Sequence, residues 1–246
     1  MASTYLKMNP FISAFNAVLY QPLFNALILI CLYLPGHDFG IAVIILTVLI
    51  KLALYPLGVQ AIRSQKNLAQ LQPKMKEIQE KFKDNKEQQS RAMMEFYKKE
   101  KINPFSGCLP LIIQLPILIG LYRVFWRGFG ESQLNFLYSF IPNPGQIDTT
   151  FLGIMDLAQA SIILAVLTGI AQFFQSKMMA TKQKKSAGSS DMSQMMQKQM
   201  LYFLPLFTVF ILWKLPAAVA LYWLTTTLFT IAQQYIILKK HDSPRI

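Results

Sequence analysis

Apolar runs long enough to cross a bilayer alternate along this chain with short polar stretches. From Ile41 to Val59 the only polar side chains are Thr47, Lys51 and Tyr55, which predicts a membrane-spanning helix over 39–61. Similar runs predict spanning helices over 104–127, with Pro110 and Pro116 inside it, over 157–177, and over a pair within 199–238. The members of that pair, about 200–213 and 217–238, are parted only by "KLP" and must be antiparallel. Upstream, "SAFNAVLYQPLFNALILICLYLPG" (13–36) is apolar but interrupted by Gln21-Pro22. The piece after Pro22 is short for a span, so segment 1–38 is expected to carry an interfacial helix.

The segment 62–103 breaks the pattern. It is polar overall, yet Leu68, Leu71, Met75, Ile78 and Phe82 recur at alternating spacings of three and four, a heptad stripe with no use in a solvated linker. "KDNK" (83–86) signals a turn, and 87–101 returns as a second helix with Met93, Phe96 and Tyr97 on one side. A helical hairpin with the stripe between its arms is expected. A polar connection with Pro and Gly covers 128–156, a Lys/Ser/Gly-rich loop 178–198 and a short tail 239–246. The expected fold class is all-α: a polytopic membrane protein whose five transmembrane helices enclose a hydrophilic groove, with the hairpin and the N-terminal interfacial helix added.

Charge orients this scheme. Lys and Arg number eleven in 62–103 and four in 178–198, against none in 128–156. The hairpin, the loop and the C-terminal tail are therefore expected in the cytoplasm of a cell whose plasma membrane holds the chain, with the N-terminus outside. Arg123 and Arg127 oppose the bias and are expected to snorkel to the outer interface. The net charge of +12 is thus a matter of topology, and direct nucleic-acid binding is not expected. Cys31 and Cys108 would fall near opposite faces, as packing residues rather than disulfide partners. His37 and His241 have no neighbours at ligand spacing, so no metal site is expected. "MASTYLKMNP" lacks the features of a cleaved signal. Neither a nucleotide-binding loop nor a catalytic constellation is visible, so no cofactor and no enzymatic activity are expected.

Lys51 is the residue that needs explaining. A lysine at the centre of a spanning helix costs about 2.5–3.5 kcal/mol on insertion scales, and none of the acidic residues falls inside a predicted span. At about ten residues from either end of its run, some 15 Å of helix, it is badly placed to snorkel. A water-filled cavity predicts other polar residues facing inward. Thr47, Lys51 and Tyr55 repeat at four; Gln114 stands in helix two; Thr168 and Gln172 are four apart in helix three. Tyr222, Thr226, Thr230 and Gln233 share one face of helix five. Hydrogen-bond glue between helices accounts for about half of these, but not for an unpaired cation. Lys51 is expected to line a hydrated cavity within the bilayer.

Two stretches carry a resemblance. Residues 55–122 hold Pro-Leu-x3-Gln, then Leu-Gln-Pro-Lys, then Asn-Pro-x2-Gly-Cys-x-Pro-Leu-x2-Gln-x-Pro, and 203–235 read "FLPLFTVFILWKLPAAVALYWLTTTLFTIAQQY". Both resemble YidC/Oxa/Alb membrane protein insertases, and the similarity covers nearly the whole chain, more weakly in 128–160 and 178–198. It does not extend to the large outer domain or the long basic tail of some members. The resemblance implies a groove open to cytoplasm and lipid and closed toward the outside. Lys51 stands where the family usually carries arginine. Client contacts are implied at Pro110 and Gln114, at Pro205 and Phe207, and at Tyr222 and Trp223. The implied partners are newly made membrane proteins and the bilayer, with a ribosome, a targeting factor or a Sec translocon beside them. The implied activity takes hydrophilic client tails into the positive groove and releases their apolar segments into lipid. The rival from the residues alone is a small-anion transporter or channel with Lys51 as binding charge, although no inverted repeat supports it. A third reading is a chaperone or scaffold that docks membrane proteins without inserting them.

Overall fold

The computed structural model describes residues 10–100, 103, 109–127, 131–179 and 199–242. Helix α1 runs from Pro10 to Tyr33 without a break, which corrects the interruption expected at Gln21-Pro22. One wide turn of i→i+5 type, Asn16–Tyr20, precedes Gln21. Pro22 then occupies the first turn of renewed α-helix, where its missing N–H and fixed φ are tolerated. With the break goes the shortness of the segment: at 24 residues it is long and apolar enough to cross a membrane by length and composition, whether it crosses or lies along the surface. Tyr20, Phe24, Leu27 and Ile28 are fully buried in the common core.

Helix α2 covers Phe39–Ala53 and α3 covers Tyr55–Lys81. The span expected over 39–61 therefore does not run straight to Ala61: the two axes meet at 69°. Leu54 takes φ −89° and ψ 6° at the junction, and Pro56 opens the next helix. A proline there cannot donate to the preceding turn and its ring crowds it, so the kink has a local cause. The hairpin arm accordingly starts at Tyr55 rather than at 62. Asn85 caps its return helix α4 (Lys86–Lys99) by accepting from the Gln88 N–H at 3.0 Å. The expected stripe residues are half-buried; Met75, Ile78 and Phe82 fall along the part of α3 that pairs with α4, whereas Leu68 and Leu71 lie beyond the end of α4. The Tyr97 hydroxyl lies 3.9 Å from Met75 Sδ, Gln89 donates to the Gln79 carbonyl at 2.7 Å, and Lys74 pairs with Glu100 at 3.2 Å.

Helix α5 is Leu109–Arg127, α6 a single turn Glu131–Leu134, and α7 Ile162–Met179. A second wide turn, Gln199–Phe203, leads into α8 (Leu204–Leu212), and α9 is Ala217–Asp242. Helix α9 is the axis of the bundle. Its first turns, Ala217–Leu221, are buried throughout, and α2, α3, α5, α7 and α8 all pack on it. Small residues permit this closeness. On α7, a Cβ at Gly169 would meet Val209 of α8 and approach the Pro205 carbonyl oxygen to 3.2 Å. The chain is an all-α polytopic membrane protein. By length and composition alone, α1 and α7 qualify as spans, with the bent α2–α3 pair as a third. Helix α8 is short for one, and α9 is diluted by Thr and Gln side chains that face its neighbours.

The connection 131–161 holds the one strand pair among the described residues, β1 (Thr150–Phe151) with β2 (Met155–Asp156), antiparallel. Asp38 joins it to the bundle: one carboxylate oxygen caps α2 through the Ile41 N–H at 2.8 Å, and the other accepts from Leu152 N–H at 2.5 Å. The Phe151 ring fills the space in which Gly40 lacks a side chain. The turn from α8 into α9 is stitched to the same region, since Ala217 and Ala218 donate to the carbonyls of Gln159 and Leu157 at 2.7 and 3.0 Å. In the strand pair, Asp156 accepts from the Thr149 hydroxyl at 2.8 Å and from the Ala158 N–H at 2.9 Å. These bonds hold its carboxyl below the ordinary carboxylate range.

Candidate functional site

Lys51 sits in the last turn of α2, beside the bend, and not at mid-helix. A cation there meets the negative end of the helix dipole. It is half-buried, and no described carboxylate pairs with it. Its ammonium lies over the Phe229 ring of α9, 5.9 Å from the centroid.

Phe229 belongs to a stripe of α9 that sets the geometry of the site. Tyr222, Thr226, Phe229 and Gln233 recur at helical spacing, and three of these rungs reach a partner on another helix, whereas the buried Thr226 hydroxyl has none among the described residues. Gln114 of α5 donates its side-chain amide to the Tyr222 hydroxyl, beside which lies the Thr226 hydroxyl. Phe229 faces Lys51. Gln233, buried, donates to the Tyr55 carbonyl at 3.2 Å, and its amide presses on Gly58, where a Cβ would come within 2.8 Å of Nε2. A ladder of polar contacts thus ties α5, α2 and α3 to one face of α9.

The structure places Gln114 against Tyr222 and Thr226, and Lys51 and the Tyr55 carbonyl against Phe229 and Gln233 farther along the same face of α9, but separates others from them. Thr47 is buried and its hydroxyl returns to the Val43 carbonyl at 2.6 Å. Thr168 is also buried, donating to Leu164 at 2.7 Å within α7 and sharing the Ala220 carbonyl at 3.3 Å. Ala220 and Tyr222 lie about 160° apart around an ideal helix, so Thr168 and Gln172 pack on the far side of α9 from the ladder. Both threonine hydroxyls bond back within their own helices, and only the Thr168–Ala220 contact crosses between helices, contributing about 0.6 kcal/mol. The Gln172 side-chain oxygen finds no donor among the described residues. Neither does that of Gln234, a residue the sequence pattern passed over.

Of the expected client contacts, Phe207 is exposed and stacks on Phe203, and Trp223 is half-buried. Pro205 departs from expectation: it is buried, with its carbonyl against α7. Pro110 lies in the first turn of α5. Cys108, the loop 178–198 apart from Lys177-side residues 178–179, and the Asn-Pro-x2-Gly-Cys motif after Asn103 lie outside the described residues. Cys31 is buried, with Sγ 3.1 Å from the His37 carbonyl. Two hollows, about 280 and 410 Å³, lie at the other end of the bundle, where Phe39 and Asp38 meet residues of the connection. Lys51 lines neither.

Phe229 was missed because an aromatic residue in an apolar helix offers no contrast. Its signal was position: it falls seven residues after Tyr222, one before the Thr230 that was chosen.

Comparison with known proteins bears on this arrangement. The family model described as 60Kd inner membrane protein matches residues 31–244. The chain belongs to that family. Among members of the 60Kd inner membrane protein family, the chain is 36% identical over 203 residues to a Fusobacterium nucleatum subsp. nucleatum protein named membrane protein insertase YidC, covering 82% of this chain and 87% of the relative. A Francisella tularensis subsp. novicida protein of the same name is 35% identical over 206 residues, 84% of this chain. The chain spans only a third of that relative's length. Lys51, the bend and the whole α9 ladder fall inside the matched region.

Proposed function

We propose that this chain is a membrane protein insertase that receives the hydrophilic tail of a client beside Lys51 and passes the adjoining apolar segment into lipid along α5 and α8. The observation that carries the reading is a half-buried cation without a carboxylate, held on an aromatic ring at the end of a polar ladder. Such a group attracts an acidic or polar tail and lowers the cost of bringing it partway across. Exposed apolar side chains on α5 (Ile112, Leu115, Ile119) and α8 (Leu206, Phe207, Phe210) offer the client segment a surface continuous with lipid. Burial of that segment supplies the driving force, and the membrane potential adds to it for a negative tail.

The distribution of Lys and Arg supports a cytoplasmic hairpin and C-terminus. Helix α1 then lies across the outer face. Its partners support this: Tyr20 donates to Gln133, Asn25 donates to the Phe136 carbonyl and accepts from Tyr138, and Leu23 abuts Gly120. All belong to the Arg127 end of α5 or to the connection after it. Newly made membrane proteins and the bilayer are the partners; a ribosome, targeting factor or translocon would dock on the hairpin's basic outer face.

The test is reconstitution of purified protein in liposomes with a small single-span client. Protease protection of the client tail is expected. Failure to protect it, together with uptake of small anions by the same vesicles, would replace this reading with a transporter.

A further inference from the structure

Two arginines oppose the charge bias of the chain, and the structure gives them a setting that snorkelling alone does not require. Arg123 and Arg127 stand one turn apart on α5. The Arg123 guanidinium lies over the Phe15 ring, 5.1 Å from its centroid, and that of Arg127 over the Tyr20 ring at 5.6 Å. On a regular α-helix two residues five apart point about 140° away from each other. The wide turn Asn16–Tyr20 reduces that offset, and so lets one side of α1 offer two rings to two arginines. Stacking occupies the face of a guanidinium and leaves its in-plane N–H groups free to make a fork. Asn16 takes one of them, from Arg123 at 3.2 Å, and the Tyr20 hydroxyl takes one from Arg127, which leaves the remaining N–H groups of both guanidiniums for a ligand. No ion pair engages either arginine among the described residues.

The same end of α5 is marked as a membrane surface. Ile112, Leu115, Ile119 and Trp126 form an exposed apolar stripe along the helix, and Trp126, between the two arginines, is 63% exposed and packs on Tyr122. Exposed tryptophan is the side chain of the headgroup level. Two edge-on guanidiniums at that depth present a charged, planar donor set to the group found there in highest concentration.

We propose that Arg123 and Arg127, braced by Phe15 and Tyr20, bind the phosphodiester of an anionic phospholipid and so clamp α1 to α5 at the membrane surface. The site is independent of the insertase reading. It needs only that the Arg127 end of α5 lie at a lipid headgroup layer.

The test is native mass spectrometry of the full chain in a nonionic detergent during titration with dioleoylphosphatidylglycerol, with dioleoylphosphatidylcholine and inorganic phosphate as separate arms. One phosphatidylglycerol is expected to bind more tightly than the rest, and more tightly than phosphatidylcholine. Its dissociation constant should rise about fivefold for each arginine replaced in Arg123→Gln and Arg127→Gln. The Arg127→Gln variant alone keeps the inner stack intact and carries the test if the double variant folds poorly. A paired Arg123→Lys and Arg127→Lys variant should bind with intermediate affinity, because charge remains and the fork does not. Unchanged lipid affinity in Arg127→Gln would overturn the site, and lysines as good as arginines would overturn its stacked geometry. Displacement of the lipid by inorganic phosphate at equal concentration would make it a soluble-anion site and overturn the lipid assignment.

Discussion

At Lys51 the ring of Phe229 orients an ammonium without neutralising it, a contact contributing about 0.5–2 kcal/mol depending on how dry it is. Replacing either partner therefore has different consequences. Lys51→Arg should keep insertion of clients with acidic tails, whereas Lys51→Ala should lose it progressively as tail aspartates increase from zero to three. Phe229→Leu should fall between them, since the charge survives and its placement does not. The protease-protected fraction of one client series, compared across the variants, checks all three. A lysine that merely tolerated its position would instead make alanine harmless. Polar residues in apolar helices are legible from sequence for this reason: Lys51, Gln114 and Tyr222 stand out against their neighbours, and Gln114 meets Tyr222 while Lys51 lies over Phe229 two turns along the same face of α9. Thr47 and Thr168 stand out equally, yet each hydroxyl returns to the carbonyl four residues back. Threonine can satisfy itself within its own helix, so its polarity carries no information about what it faces.

Among the elements, the strand pair of the connection makes the clearest prediction about pH. The Thr149 hydroxyl and the Ala158 N–H hold the Asp156 carboxyl below its ordinary range. The group therefore contributes stability above the unfolded carboxylate pKa of about 3.9, and the contribution is lost as pH falls through the lower folded value. The protection factor of the Ala158 amide, its exchange rate relative to the free peptide at the same pH, should hold at neutral pH and fall only in strong acid, and Asp156→Asn should remove that dependence. The turn of the hairpin α3–α4 was legible in advance from the polar run at 83–86. Its heptad stripe, however, extends past the paired arms, since Leu68 and Leu71 precede Lys74, which already pairs with Glu100 at the end of α4. The continuity of α1 was not legible, since an i→i+5 turn leaves no composition signal and a proline read alone suggests a break. Pro56 did signal the bend, but the apolar residues on either side of it mimic one uninterrupted span.

For the molecule as a whole, the ladder on α9 predicts an asymmetry of access. With the hairpin in the cytoplasm as proposed, cysteines placed at Tyr55, Gln114 and Thr226 should react with a membrane-impermeant maleimide from the cytoplasmic side and far less from the opposite one, the end that Asp38, Phe151 and the stitched α8–α9 turn close. Equal labelling from both sides would indicate a pore. The all-α bundle was legible from hydropathy. The side of α9 on which each helix packs was not, because it depends on close approaches such as Gly169 to Val209 that no single-helix pattern encodes. The 69° bend at Leu54 has a mechanical consequence. Helix α3 is an arm of 27 residues, about 40 Å long, pivoting within one turn of Lys51. By leverage, a tip displacement of about 7 Å rotates the arm by only about 10°, and nearly all of that rotation is delivered to the pivot. There the Gln233 amide against the Tyr55 carbonyl and Gly58, together with buried Ala61 and Ile62, holds the base of the arm to the bundle.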